Sequence, residues 1–261
     1  MATPAVSATT FFQGFETDTS GWFGGTSGGS STDFGNIVRT DGTAQSITPF
    51  EGGFFGQFTQ ADSGPFTRFD GYRDTFPGTW SARSAIYLDT TWGLGQGFDY
   101  SVASNGSDGA HQRDFIFHVT KDTSTQQILV GGSNNTNFDP REDLETINHV
   151  AVTDSGWYIF EHVFRNDGGQ LAVDLNLYTA LGVLLFTETR STALDTIPGE
   201  VGGNRYGWFT NIDIDGGISV DATQMSIVPL PAALPLMAAV MAVFGMIGWR
   251  RRIRVSSTGM V

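Results

Sequence analysis

Cysteine is absent from the 261 residues, so no disulfide and no thiolate metal site can form. Lysine occurs once, at Lys121, and cations are scarce: 14 lysines and arginines stand against 27 acidic residues, a formal net charge of −13. Four of the cations, Arg250, Arg251, Arg252 and Arg254, lie in the last dozen residues. The chain before position 228 therefore holds ten basic and all 27 acidic residues, a net of −17. A surface that negative repels phosphate backbones, which argues against a nucleic-acid partner, and it attracts divalent cations. Helical periodicity is also missing before position 228. Met1 to Phe12 has neither a basic n-region nor an apolar h-region.

The chain ends differently. Val228-Pro229-Leu230-Pro231-Ala232 opens an apolar stretch, and Ala232 to Trp249 carries no charge. As a helix those residues would span about 27 Å, close to the hydrocarbon thickness of a bilayer. Pro235 would fall in the first turn, where a missing N–H costs little. The arginine cluster that follows marks a cytoplasmic flank and acts as a stop-transfer signal. Residues 1–227 are accordingly expected outside the cytoplasmic membrane.

Proline motif, apolar helix and terminal arginine cluster, in that order, resemble the VPLPA variant of the bacterial PEP-CTERM sorting signals. The resemblance covers residues 228–254. It implies an exosortase-type membrane transpeptidase as partner, a tether to the inner membrane before sorting, and then delivery to the cell surface or extracellular matrix. Val6-Ser7-Ala8 looks like the small-residue end of a signal peptide, so either the signal has been removed or the reading frame is expected to continue upstream of Met1 into a basic and then apolar signal; the alternative is that Met1 is the true start and the protein is not exported. The expected division is 1–12 as an unstructured remnant of the export region, 13–227 as the exported domain, 228–254 as sorting signal with transmembrane helix, and 255–261 as cytoplasmic tail.

Within the exported part, 34 glycines and 21 phenylalanines accompany frequent period-two alternation. Leu171, Val173, Leu175 and Leu177 alternate with Ala172, Asp174, Asn176 and Tyr178, a half-buried strand. Phe115, Phe117 and Val119 do the same. Trp157 to Phe164 is apolar at most positions and reads as a central strand. Asn166-Asp167-Gly168-Gly169 turns from it into Leu171, a hairpin. Ser84–Leu88, Val183–Thr189 and Ile218–Val228 are further strands. Residues 20–36 and 102–110 read as loops, and so does a run from Gly131 to about Asn148, with a short helical turn after Asp139-Pro140. The predicted fold is all-β: a two-sheet antiparallel β-sandwich, jelly roll or concanavalin-A-like, followed by one C-terminal transmembrane helix.

Gly14-Phe15-Glu16 with Ser20-Gly21-Trp22, Pro49-Phe50-Glu51-Gly52-Gly53-Phe54-Phe55-Gly56, and the closing Ile218-Ser219-Val220-Asp221 resemble the first, a middle and the last strands of carbohydrate-binding-module jelly rolls. The centre of the chain is equally similar to laminin-G and concanavalin-A-like sandwiches. The jelly-roll resemblance implies a structural Ca²⁺ shared by Glu16 and Asp221, and hard carboxylate oxygens suit that ion. Asn211-Ile212-Asp213-Ile214-Asp215-Gly216 imitates the front of an EF-hand loop, but Ala222 stands where its glutamate belongs, so a strand entering a turn fits better.

No catalytic centre emerges. Gly25-Thr26-Ser27-Gly28-Gly29 spells Gly-x-Ser-x-Gly without the strand and helix a nucleophile elbow needs. His111, His118, His149 and His162 lack zinc-site spacing; His118 and His162 read as structural residues on strands, and His111, Arg113 and Asp114 as a loop brace. Glu142, Asp143 and Glu145 are close but loop-like, and Glu161 is alone on its strand, so no glycosidase pair is evident. Tyr72, Trp80 and Trp92 lie in loop-rich sequence, where aromatic rings either stack on sugars or plug the sandwich ends. The expected function is an exported, non-enzymatic surface or matrix protein with affinity for extracellular polysaccharide. The alternative is a glycan-active hydrolase or lyase of the sandwich class.

Overall fold

The protein is described by a computed structural model covering residues 8–24, 35–71, 76, 78–105, 110–135, 141–197 and 206–227. In chain order the strands are β1 (Ala8–Gln13), β2 (Trp22–Phe23), β3 (Asn36–Thr40), β4 (Phe55–Thr59), β5 (Phe66–Thr67), β6 (Trp80–Leu88), β7 (Gly97–Asn105) and β8 (His111–Lys121). There follow β9 (Ile128–Asn134), β10 (His149–Val152), β11 (Gly156–Asp167), β12 (Gln170–Thr179), β13 (Leu184–Arg190), β14 (Gly207–Thr210) and β15 (Ile218–Ile227). One short 3-10 helix, Arg141–Thr146, precedes β10.

The strands form two antiparallel sheets. The first has the order β13-β12-β11-β6-β15-β4-β3, with β1 also paired to β15; the second has the order β10-β9-β8-β7-β14-β5-β2. Alternation sets the inner faces. Tyr158, Phe160, His162 and Phe164 of β11 point inward, as do Leu171, Val173, Leu175 and Leu177 of β12. Phe98, Tyr100 and Val102 of β7 meet them with Phe115, Phe117 and Val119 of β8. The core is strongly aromatic: Tyr100 stacks on Phe209 at 4.7 Å, and Trp80 stacks on Phe164 at 3.8 Å and 6°. Residues on the outer face of the second sheet are covered as well, with Ile116, Leu129 and Leu144 of the 3-10 helix all buried.

The expected sandwich and the named strands are thus present, with several corrections. Residues 102–105, expected in a loop, end β7, and Trp22–Phe23, also expected in a loop, form β2. Residues 8–12 are not an unstructured remnant: they belong to β1, which pairs from Ala8↔Ile227 to Gln13↔Thr223 and joins the two ends of the domain. Gly14-Phe15-Glu16 follows that strand instead of forming it. Gly131–Asn134 belongs to strand β9, buried throughout, because its residues pair with Phe115–His118 of β8. The proposed transmembrane helix, Val228–Ala232 and the arginines at 250–252 and 254 lie outside the described residues. Among the described residues no helix is long and apolar enough to cross a membrane.

Candidate ligand pocket and carboxylate clasp

The outer face of the first sheet carries the open polar chemistry, and one loop divides it. That loop, residues 41–54 between β3 and β4, is held by carboxylates from both ends of the domain. Asp221 on β15 accepts hydrogen bonds from the amides of Phe50 (3.0 Å) and Glu51 (3.2 Å). Glu16 accepts from the amides of Gly53 (2.9 Å) and Phe54 (3.1 Å). The Trp157 indole N–H donates to Thr48 O at 2.7 Å, and Phe50 and Phe55 pack edge-on against its ring. Arg39 closes the other side, donating to the carbonyls of Phe15 and Glu16 and lying 3.2 Å over the Phe54 ring.

The backbone bends to make this clasp. Phe15 has φ 58° and Ala222 φ 46°, so the residues beside both carboxylates sit in the left-handed region. At Ala222 the ladder with β6 shifts register between Asp221 and Gln224, a bulge that aims Asp221 at the loop. Gly52 has φ 59°, and a Cβ there would come within 2.2 Å of Glu16 Oε1.

Glu16 and Asp221, expected to share an ion, are therefore brought to one five-residue segment, with Glu51 between them. Burial raises the Asp221 carboxyl to about 7, and the charge of Glu51 adds to it; the amides of Glu51, Ala222 and Phe50 pull the other way. Burial also raises Glu51, helped by the charge of Glu16. No group of three metal-ligating side chains converges among the described residues. Three carboxylates, hard oxygen donors, lie along one loop; both oxygens of Glu16 and of Asp221 already accept backbone amides.

On one side of the loop lies a cavity of about 390 Å³. Its floor is formed by outward side chains: Gln57 opposite Ser219, and Tyr87 of β6. Trp92 and Gln96 wall it from the β6–β7 loop, and Asp215 from the β14–β15 turn. Several of these groups are committed. Gln57 bonds Ser219 and Gly216 O, and one Asp89 oxygen accepts from Thr91 and Ser155. Others are open: among the described residues nothing hydrogen-bonds the Tyr87 hydroxyl, the Gln96 Nε2 or the Asp215 carboxylate. Burial and the charge of Asp89 raise the Tyr87 hydroxyl, so it stays a proton donor. The floor and walls thus combine two aromatic faces with open donors and acceptors.

Of the three aromatic residues expected to meet a ligand, Trp92 lines this cavity, half-buried and edge-on to Phe98. Trp80 is corrected: it is fully buried at the start of β6, between Phe164 and Tyr206, and faces no ligand. Tyr72 lies outside the described residues. Tyr87, which lines the cavity, and Trp157, which holds the loop through Thr48 O, sit on strands that look core-like in sequence; their outward parity on β6 and β11 was the available signal.

The histidines are structural. His162 is fully buried, donates from Nε2 to Phe115 O, and is driven by burial to about 3. His118 sits between Asp99 Oδ1 (2.6 Å) and Ser133 Oγ (2.7 Å), the order of a serine-hydrolase relay. All three groups are buried, His118 and Ser133 completely, so no substrate reaches the hydroxyl. His111 pairs with Asp114 and Arg113 with buried Asp195, as braces. The EF-hand-like segment resolves into a turn after β14, where Arg141 pairs with Asp213.

No protein-family model matches the chain. No curated protein matches it. Among solved structures, the CBM2 module of the evolved Dit protein of Lactobacillus casei BL23 phage J-1 is similar at 12% identity, covering 87% of this chain and 99% of that chain with a TM-score of 0.47.

Proposed function

We propose that this chain is a non-enzymatic, glycan-binding surface or matrix protein, delivered by its C-terminal sorting signal. The cavity beside Tyr87 and Trp92 carries the binding reading. Aromatic faces bury the apolar side of a sugar ring, while a phenol, an amide and a carboxylate with no partner among the described residues meet its hydroxyls. Trp92→Ala should weaken binding of the full-length chain to a neutral extracellular polysaccharide about tenfold by affinity electrophoresis, of the order of a lost aromatic stack plus burial. Retardation equal to wild type, or none in wild type, would overturn the reading. The hydrolase alternative would need Asp89 and Asp215, which both line the cavity, to act as a pair; release of reducing ends from that polysaccharide would favour it.

The delivery reading rests on the order of motif, apolar run and arginines. Pro229→Ala with Pro231→Ala should leave the chain in the membrane fraction but block its processing by the exosortase-type partner. Unchanged processing would sink that part alone.

Calcium belongs to the same proposal. Glu16 and Asp221, with Glu51, are the residues that would hold it. The ion would supply positive charge where three carboxylates crowd, fastening the loop that walls the cavity. Chelation should then lower the melting temperature of the full-length chain, and Asp221→Ala should abolish the difference. A melting curve indifferent to chelator removes the ion.

A further inference from the structure

On the far side of the dividing loop lies a second, smaller cavity of about 160 Å³. Three of its residues form a row across the first sheet, Phe12 of β1 opposite Gln224 of β15 and Gln224 opposite Arg83 of β6; beyond the cavity Arg83 stands opposite Glu161 of β11. The row continues through Asn176 of β12 to Thr187 of β13. Six strands at about 4.8 Å spacing make a track of roughly 24 Å, the scale of a short oligosaccharide.

The two ends of the row differ. Glu161, Asn176, Tyr178 and Thr187 satisfy one another through hydrogen bonds of 2.7–3.1 Å. At the cavity no hydrogen bond from a described residue reaches the Arg83 guanidinium, the Gln224 amide or the Glu51 carboxylate. Arg83 Nε is buried without a hydrogen-bond partner, 3.5 Å from Glu161 Oε1. Phe12 lies at the rim with half of its surface exposed (50%). Arg83 is ion-paired with Glu161 on its β11 side, so an exposed ring stands beside a guanidinium, an amide and a carboxylate that make no hydrogen bond to a described residue, an arrangement suited to a ligand.

We propose that this cavity is a second subsite for a neutral sugar ring, with Phe12 as stacking platform. Arg83 and Gln224 donate to hydroxyl oxygens, and Glu51 accepts from hydroxyl protons. An anionic group is disfavoured, because Glu51 and Glu161 flank Arg83. The proposal rests on the glycan-binding reading above and extends it from one pocket to two, on either side of one loop.

The test is titration of full-length wild type, Arg83→Gln, Gln224→Ala and Trp92→Ala with a neutral polysaccharide and with a uronate-rich one. Gln224 makes no side-chain hydrogen bond to a described residue, so its variant folds even if Arg83→Gln does not. We expect wild type to prefer the neutral glycan and both Arg83→Gln and Gln224→Ala to bind it about tenfold more weakly. Wild-type affinity in Gln224→Ala and in folded Arg83→Gln, with Trp92→Ala weakened, overturns the second subsite and leaves the first. Preference for the uronate-rich glycan overturns the neutral-sugar assignment. No binding by wild type to either overturns the reading beneath both.

Discussion

Single residues carry unequal weight in this fold, and Trp80 and Gly52 show two separate reasons. Trp80 is wholly enclosed, with Phe164 parallel to its ring and Tyr206 tilted beside it. Removing so large a buried side chain leaves a cavity that close packing cannot refill. Trp80→Ala should cost about 3–5 kcal/mol in denaturant unfolding. Its indole nitrogen has no hydrogen-bond partner among the described residues, so Trp80→Phe should cost much less, and equal losses would contradict the packing account. Gly52 matters for conformation. It holds a positive φ directly beneath the Glu16 carboxylate, so Gly52→Ala forces either the backbone or the clasp to give. Unfolding at unchanged denaturant concentration in Gly52→Ala would mean that Glu16 does not hold the loop.

At the scale of elements, the hairpin between β11 and β12 is the most local structure in the chain. Gly168 and Gly169 both have positive φ, 64° and 99°, as a two-residue turn with matching twist requires, and Asn166 accepts from the Gly169 amide. Asparagine tolerates the first of these positions and narrows the unfolded ensemble. Gly168→Asn should therefore stabilise by up to about 1 kcal/mol, whereas Gly168→Val should destabilise. The same locality explains what could be read from sequence. β11, β12 and their turn were legible because alternation and turn chemistry are nearest-neighbour properties. β9 was hidden: Gly131, Gly132, Ser133 and Asn134 have loop-like composition, and only their pairing with His118 to Phe115 of β8 makes them strand. β1 was hidden for a similar reason, since its pairing partner lies more than 200 residues away on β15. Glu16 and Asp221 could be named as a pair only through the jelly-roll resemblance. That the segment from Phe50 to Phe54 would lie between them is a tertiary fact no local pattern contains. The aromatic residues divided on parity: Trp92 in its loop reached a cavity, while Trp80 opened a strand with its side chain inward.

Across the whole molecule the excess of acid sets two opposing pH dependences. Asp89, Asp122 and Asp174 have their carboxyls held below the usual value: burial opposes this, but hydrogen bonds from Thr91, from Thr125 and from Arg165 respectively outweigh it. A depressed carboxyl stabilises the fold above its unfolded value, so this contribution is lost as pH falls below about 3.8. Asp221 behaves oppositely. Its folded value is raised to about 7, so its protonated form is favoured in the fold; that contribution is complete below about 3.8 and is lost as pH rises toward 7. Glu51 is raised as well and adds to the same side. The net negative charge reinforces that slope through self-repulsion. In chelator, then, the melting temperature should pass through a maximum in mildly acid solution and decline toward neutrality. Asp221→Asn should remove most of the neutral-side decline while leaving the acid limb unchanged. Calcium should flatten the same side in wild type, since a cation favours the ionised carboxylates that burial penalises, and should have no such effect in Asp221→Asn. Melting curves between pH 3 and pH 8, with and without calcium, decide the matter. A neutral-side slope that persists in Asp221→Asn would assign it to net charge alone, and would take from the clasp its part in joining the two ends of the domain.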